Sequence, residues 1–165
     1  FSAITMTSLA DGYEYGAILF AHGGIQHVIH EGGDITFTYN AAFQPLLMFH
    51  THPHTDHNNA MFSGADVLSF AKYSGSGGIS ILSAGDQMYV LEMKDMQKAR
   101  EFASKFDPPT SITFGLDFRD KFYANIDGYG DVISSSKLES ALITMLKNSG
   151  IILYKKTSKG LQKIK

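Results

Sequence analysis

Apolar residues recur along this chain with two periods, and the change from one to the other separates strands from helices. Glu14-Tyr15-Gly16-Ala17-Ile18-Leu19-Phe20 reads as a buried strand, and His22-Gly23-Gly24 as a turn into a second one, Ile25 to His30. Glu31-Gly32-Gly33-Asp34 is a further turn, before Ile35-Thr36-Phe37-Thr38-Tyr39, a run of β-branched and aromatic residues. Leu46 to His52 makes a fourth strand, which Pro53 stops because proline has no N–H for a ladder. Its period of two puts Met48, His50 and His52 on one face.

The period then lengthens. Ser63 is placed as the N-cap of a helix to about Tyr73, with Asp66 three residues later and Val67, Leu68 and Ala71 facing inward. A Gly/Ser turn at 74–78 leads to a hairpin of Ile79–Ser83 and Gln87–Met93. Met96, Ala99, Ala103 and Phe106 mark one face of a second helix, ended by Pro108-Pro109. Residues 111–135 carry the weakest pattern and read as a strand and a loop. Leu138, Ala141, Leu142, Met145 and Leu146 then form an amphipathic stripe stopped at Gly150, and Ile151–Lys156 with Leu161–Lys165 close the chain as a hairpin. With no internal repeat or long linker, the pattern predicts one α/β (α+β) domain over residues 1–165, a mixed sheet flanked by helices.

Composition narrows this picture. A chain of 165 residues, 44% hydrophobic and 18% charged, has enough apolar material for one sizeable core. Because it starts at Phe1 rather than Met, the chain is expected to be the C-terminal part of a longer polypeptide. No run approaches the roughly 18 apolar residues that span a bilayer, and no signal-peptide pattern opens the chain. The absence of cysteine excludes disulfides and thiolate zinc sites, so any metal must be held by His, Asp or Glu. Net charge is -2, but residues 137–165 hold seven Lys against Glu139 alone. Those lysines are scattered and lack an accompanying set of stacking aromatics, so they read as solvated faces rather than a nucleic-acid footprint.

The candidate chemistry lies between His50 and Asp66. Both imidazoles leave the strand on one side, and Asp66 sits in the first turn of the next helix, whose N-terminus favours its ionised form. Three protein ligands with an open fourth position describe a catalytic rather than a structural zinc site. Glu14, which precedes a glycine and an apolar run, is the candidate base. Each residue also has a plainer role available. His50 and His52 suit the end of a strand, Asp66 and Ser63 suit a helix cap, and Glu14 suits a strand start. His54, Asp56 and His57 lie in the stretch before Asp66, so a third ligand from that stretch stays open beside Asp66.

Glu14-Tyr15-Gly16 with its apolar strand, His50-Thr51-His52-Pro53, and Ser63-Gly64-Ala65-Asp66 together resemble the JAMM signature of MPN-domain metalloproteases. The likeness extends loosely over residues 10–94, and the gap from His52 to Asp66 is about three residues longer than that family usually has. The resemblance implies a curved mixed sheet with Zn2+ held by His50, His52 and Asp66. It also implies Glu14 as general base and acid, and Ser63 as a stabiliser of the oxyanion. The chemistry it implies is hydrolysis of a peptide or isopeptide bond, with ordinary peptides, ubiquitin-like conjugates and peptidoglycan cross-links all open as substrates. A catalytically silent MPN-like binding module is the alternative. So is a nucleic-acid role like that of the RadC group, which the acidic body of the chain disfavours. The chain also resembles the JAB-like toxin domains of secreted bacterial polymorphic toxins, which implies a delivered effector neutralised by a cognate immunity protein.

Overall fold

The structure, a computed structural model, describes Ser8 and residues 12–31, 44–52, 61–106 and 135–165, and within residues 12–165 of that set seven strands and three helices follow the predicted order. Strands β1 (Tyr13–Phe20) and β2 (Ile25–Glu31) form a hairpin, and β3 (Pro45–His52) pairs with the other side of β1. Helix α1 (Gly64–Tyr73) then crosses to β4 (Ile79–Ala84), which lies parallel to β3. A parallel pair requires such a crossover, because a tight turn can only reverse the chain. The remaining elements are β5 (Gln87–Met93), α2 (Met96–Ser104), α3 (Ser135–Leu146), β6 (Ile151–Thr157) and β7 (Gly160–Lys163). The sheet order is β2-β1-β3-β4-β5-β6-β7, open at both ends, with every described pairing except β3–β4 antiparallel. This is a single α+β unit built on a mixed sheet. None of its described helices is long and apolar enough to cross a membrane.

One face of the sheet carries the core. Ile18, Met48, Leu82, Leu91 and Leu153 point from successive strands into a cluster shared with Leu68 and Phe70 of α1, Phe102 of α2, and Leu138 and Leu142 of α3. Each such side chain stabilises the fold by about 1.5–3 kcal/mol relative to exposure. At its polar margin the buried Tyr89 hydroxyl donates to Glu139 Oε1 at 2.7 Å, and Lys155 Nζ donates to the same oxygen at 2.8 Å. Burial and the Glu139 carboxylate push the Tyr89 phenol well above its ordinary range, so it stays a donor. The contact fixes α3 to the sheet. At the far edge β7 is short, exposed and lysine-bearing, features that discourage pairing with other chains.

One expectation needs correction. The helix expected to run through Phe106 ends at Ser104, although Phe106 stays in the core with its ring 5.1 Å from that of Phe102. Strand β3 keeps Met48, His50 and His52 on one face, and Phe49 and Thr51 on the other face are buried as well. The expected strand Ile35–Tyr39 and most of segment 111–135 lie outside the described residues.

Gly150 joins α3 to β6 with φ +75°, and its carbonyl accepts from Lys94 N at 2.9 Å and Asp95 N at 3.0 Å. A Cβ there would press into the Asp95 carbonyl oxygen. Gly150→Ala is expected to lower stability by about 2 kcal/mol or more, from left-handed backbone strain and that collision. Urea unfolding of the two proteins measures it, and an unchanged midpoint would show that the junction yields freely.

Candidate metal centre

The site forms where β1, β3 and the start of α1 meet. His50 lies across from Gly16 of β1 and Leu82 of β4, so it is held in the middle of the sheet rather than at an edge. Between the two histidines, Thr51 turns to the other face. Its Oγ1 accepts from Tyr15 N at 3.0 Å and donates to Ser8 Oγ at 2.9 Å, and Ser8 Oγ donates to the Tyr13 carbonyl at 2.6 Å. This buried chain of hydrogen bonds pins the last turn of pleat in β3 to β1. The positions of His50 and His52 are thereby set by a contact on the opposite side of the sheet.

Helix α1 brings in the carboxylate. Ser63 Oγ accepts from Asp66 N at 3.2 Å, and Asp66 Oδ2 accepts from Ser63 N at 2.7 Å, a reciprocal capping box. Phe62 and Val67, at the two positions of a hydrophobic staple, are both in the core. At the other end of α1, Arg100 of α2 donates to the carbonyls of Ala71 and Ser74. Those carbonyls lack partners within the helix, so the guanidinium both satisfies them and complements the negative end of the dipole. The helix is held at both ends.

These supports bring the expected ligands together. His50 Nε2 lies 3.4 Å from Asp66 Oδ1, and His52 Nε2 lies 3.9 Å from Asp66 Oδ2. Ligand atoms from the three residues all fall within 4.8 Å of one another, a possible metal-binding group. The imidazoles meet edge to face with centroids 5.0 Å apart, and the buried Phe62 ring lies 5.9 Å from that of His50. Side-chain exposure is 8% for His50, 11% for His52 and 23% for Asp66, so the group is closed on the histidine side and opens beside Asp66. Burial alone would raise the Asp66 carboxyl, but the adjacent His50, then His52 and the Ser63 contact hold it well below the usual carboxylate range. Asp66 is therefore held as an anion beside the two imidazoles.

Glu14 projects from β1 on the same face as Ile18, and its Oε1 lies 4.0 Å from His52 Nε2. It stands beside the possible metal-binding group of His50, His52 and Asp66 and is not part of it. Ser63 is placed in the capping box, exposed at the start of α1. His54, Asp56 and His57 lie outside the described residues. His22 and His27 are exposed away from this group, with the His22 ring against Phe20. Thr51, Phe62 and Arg100 were not legible as parts of the site. The only signal for Thr51 was its place between two histidines, and for Arg100 its position next to Ala99 on the helix that buries Ala99, Phe102 and Ala103.

Comparison of the chain with models of known protein families, with curated proteins and with solved structures found no match in any of the three.

Proposed function

We propose that this protein is a zinc-dependent hydrolase of peptide or isopeptide bonds, with His50, His52 and Asp66 as ligands and Glu14 as the general base and acid. The observation that carries the reading is the convergence of the three donor atoms within 4.8 Å, with a buried carboxylate, Glu14, 4.0 Å from one of them. Zinc–nitrogen and zinc–oxygen bonds of about 2.0–2.2 Å in a tetrahedron separate the donors by roughly 3.3–3.6 Å. The 3.4 Å between His50 Nε2 and Asp66 Oδ1 fits that spacing, and two imidazoles with a carboxylate are a donor set zinc accepts.

Zinc held there supplies Lewis acidity, polarising the scissile carbonyl and making a water acidic near neutral pH. The protein does the rest. His50 and His52 bind as neutral rings through Nε2, and Asp66 contributes the negative charge. Glu14 Oε1 takes the proton from the attacking water and returns it to the leaving nitrogen, so that an amine rather than an amide anion departs. The face beside Asp66, more open than the histidine side, admits the substrate. A binding module without chemistry would have no use for a second, non-ligating carboxylate at this depth.

Protein purified without added metal is expected to carry about one zinc per chain by elemental analysis. It is also expected to cleave members of a panel of fluorogenic peptides, lysine-branched isopeptides and peptidoglycan cross-link peptides. Chelation should stop the cleavage and zinc restore it. Folded protein that neither carries zinc nor takes it up would overturn the proposal.

A further inference from the structure

The Asp66 carboxylate performs two tasks at once. Oδ2 is tied to the Ser63 backbone N–H at 2.7 Å, while Oδ1 faces His50 Nε2 at 3.4 Å. The Asp66 backbone N–H is in turn held by Ser63 Oγ at 3.2 Å. An aspartate free on a helix surface samples several staggered rotamers, and only some would aim an oxygen between the two histidines. With one oxygen anchored and its own backbone clamped, Asp66 is confined to the orientation that leaves Oδ1 for a metal.

We propose that Ser63 is a positioning residue for the metal centre, acting through the capping box to fix how Asp66 presents Oδ1. This rests on the zinc reading above and assigns Ser63 a task distinct from stabilising an oxyanion. Its hydroxyl oxygen is engaged with the Asp66 N–H, and that contact ties the cap to the ligand. Partners that orient a metal ligand usually contribute ten- to a hundredfold to metal affinity, so the expected effect of losing the hydroxyl is about tenfold.

The test measures zinc affinity by competition with a chromophoric chelator, and coordination geometry by the visible spectrum of the cobalt(II) form. Ser63→Ala is expected to weaken zinc about tenfold and to change the cobalt spectrum, and Ser63→Thr, which keeps the hydroxyl, to restore both. Ser63→Gly removes the hydroxyl at little cost to the helix cap and is expected to weaken zinc as Ser63→Ala does. Asp95→Ala is the control. Asp95 caps α2 through the Lys98 N–H at 3.1 Å, so its loss should lower stability and leave zinc affinity alone. Unchanged affinity and spectrum in both hydroxyl-free variants would overturn the proposal, even if hydrolysis fell. So would an equal loss of affinity in Asp95→Ala. Failure of the unsubstituted chain to take up zinc would instead overturn the metal reading, and this proposal with it.

Discussion

His52→Ala is expected to abolish stoichiometric zinc binding while leaving the fold in place. His52 faces both carboxylates of the site, with Asp66 Oδ2 at 3.9 Å and Glu14 Oε1 at 4.0 Å. Without it only His50 and Asp66 remain, and among the described residues no other group completes a metal-binding set. Structural zinc sites with four ligands are worth about 10–16 kcal/mol, so each ligand contributes roughly 3 kcal/mol, a hundredfold or more in affinity. The fold should persist because the side chain lies at the edge of the core and the strand is held through Thr51. Elemental analysis together with circular dichroism checks both halves. If His52→Ala kept zinc at unchanged affinity in a folded protein, the proposed ligand set would be wrong.

Glu14→Gln should have the complementary effect, with zinc retained and hydrolysis lost. Glutamine matches glutamate in shape, so it can occupy the same largely buried place on β1, but its amide cannot take up a proton. General acid–base groups contribute about 10²–10⁴ in rate, which corresponds to roughly 3–5 kcal/mol of barrier. The loss should fall on kcat with zinc content unchanged, since Glu14 stands outside the ligand group. Cleavage of the best substrate in the panel, measured beside metal content, decides it. A variant within a few-fold of the original rate would place the base elsewhere.

Local pattern carried much of this architecture. The apolar run of β1, the two-residue period that puts Met48, His50 and His52 on one face of β3, and the stripe of α3 were visible because each is local to its own element, whatever that element packs against. Ser63 and Asp66 could be read as a cap or as part of a site, and the structure shows why the two readings competed. Asp66 uses one oxygen for the cap and turns the other toward His50. The Thr51 contacts were hidden because they depend on the register of β1 against β3 and on Ser8, 43 positions away. Arg100 was hidden for a similar reason. Its partners, the last carbonyls of α1, become neighbours only when α2 docks there. The burial of Phe49 and Thr51 likewise reflects what lies over the second face of the sheet, which a strand's own alternation does not encode.

The shared core also decides how small a working unit of this protein can be. The proposed ligands and the proposed base all fall between Glu14 and Asp66, which invites the idea that a short fragment would suffice. Yet α1, which carries Asp66, packs into a cluster that includes Leu138, Leu142, Leu146, Ile151 and Leu153 from the last third of the chain. A fragment cut after the motif would keep every ligand and lose the wall against which their helix rests. Grafting the proposed site onto another scaffold means supplying that seat for α1 as well as the side chains of Glu14, His50, His52, Ser63 and Asp66.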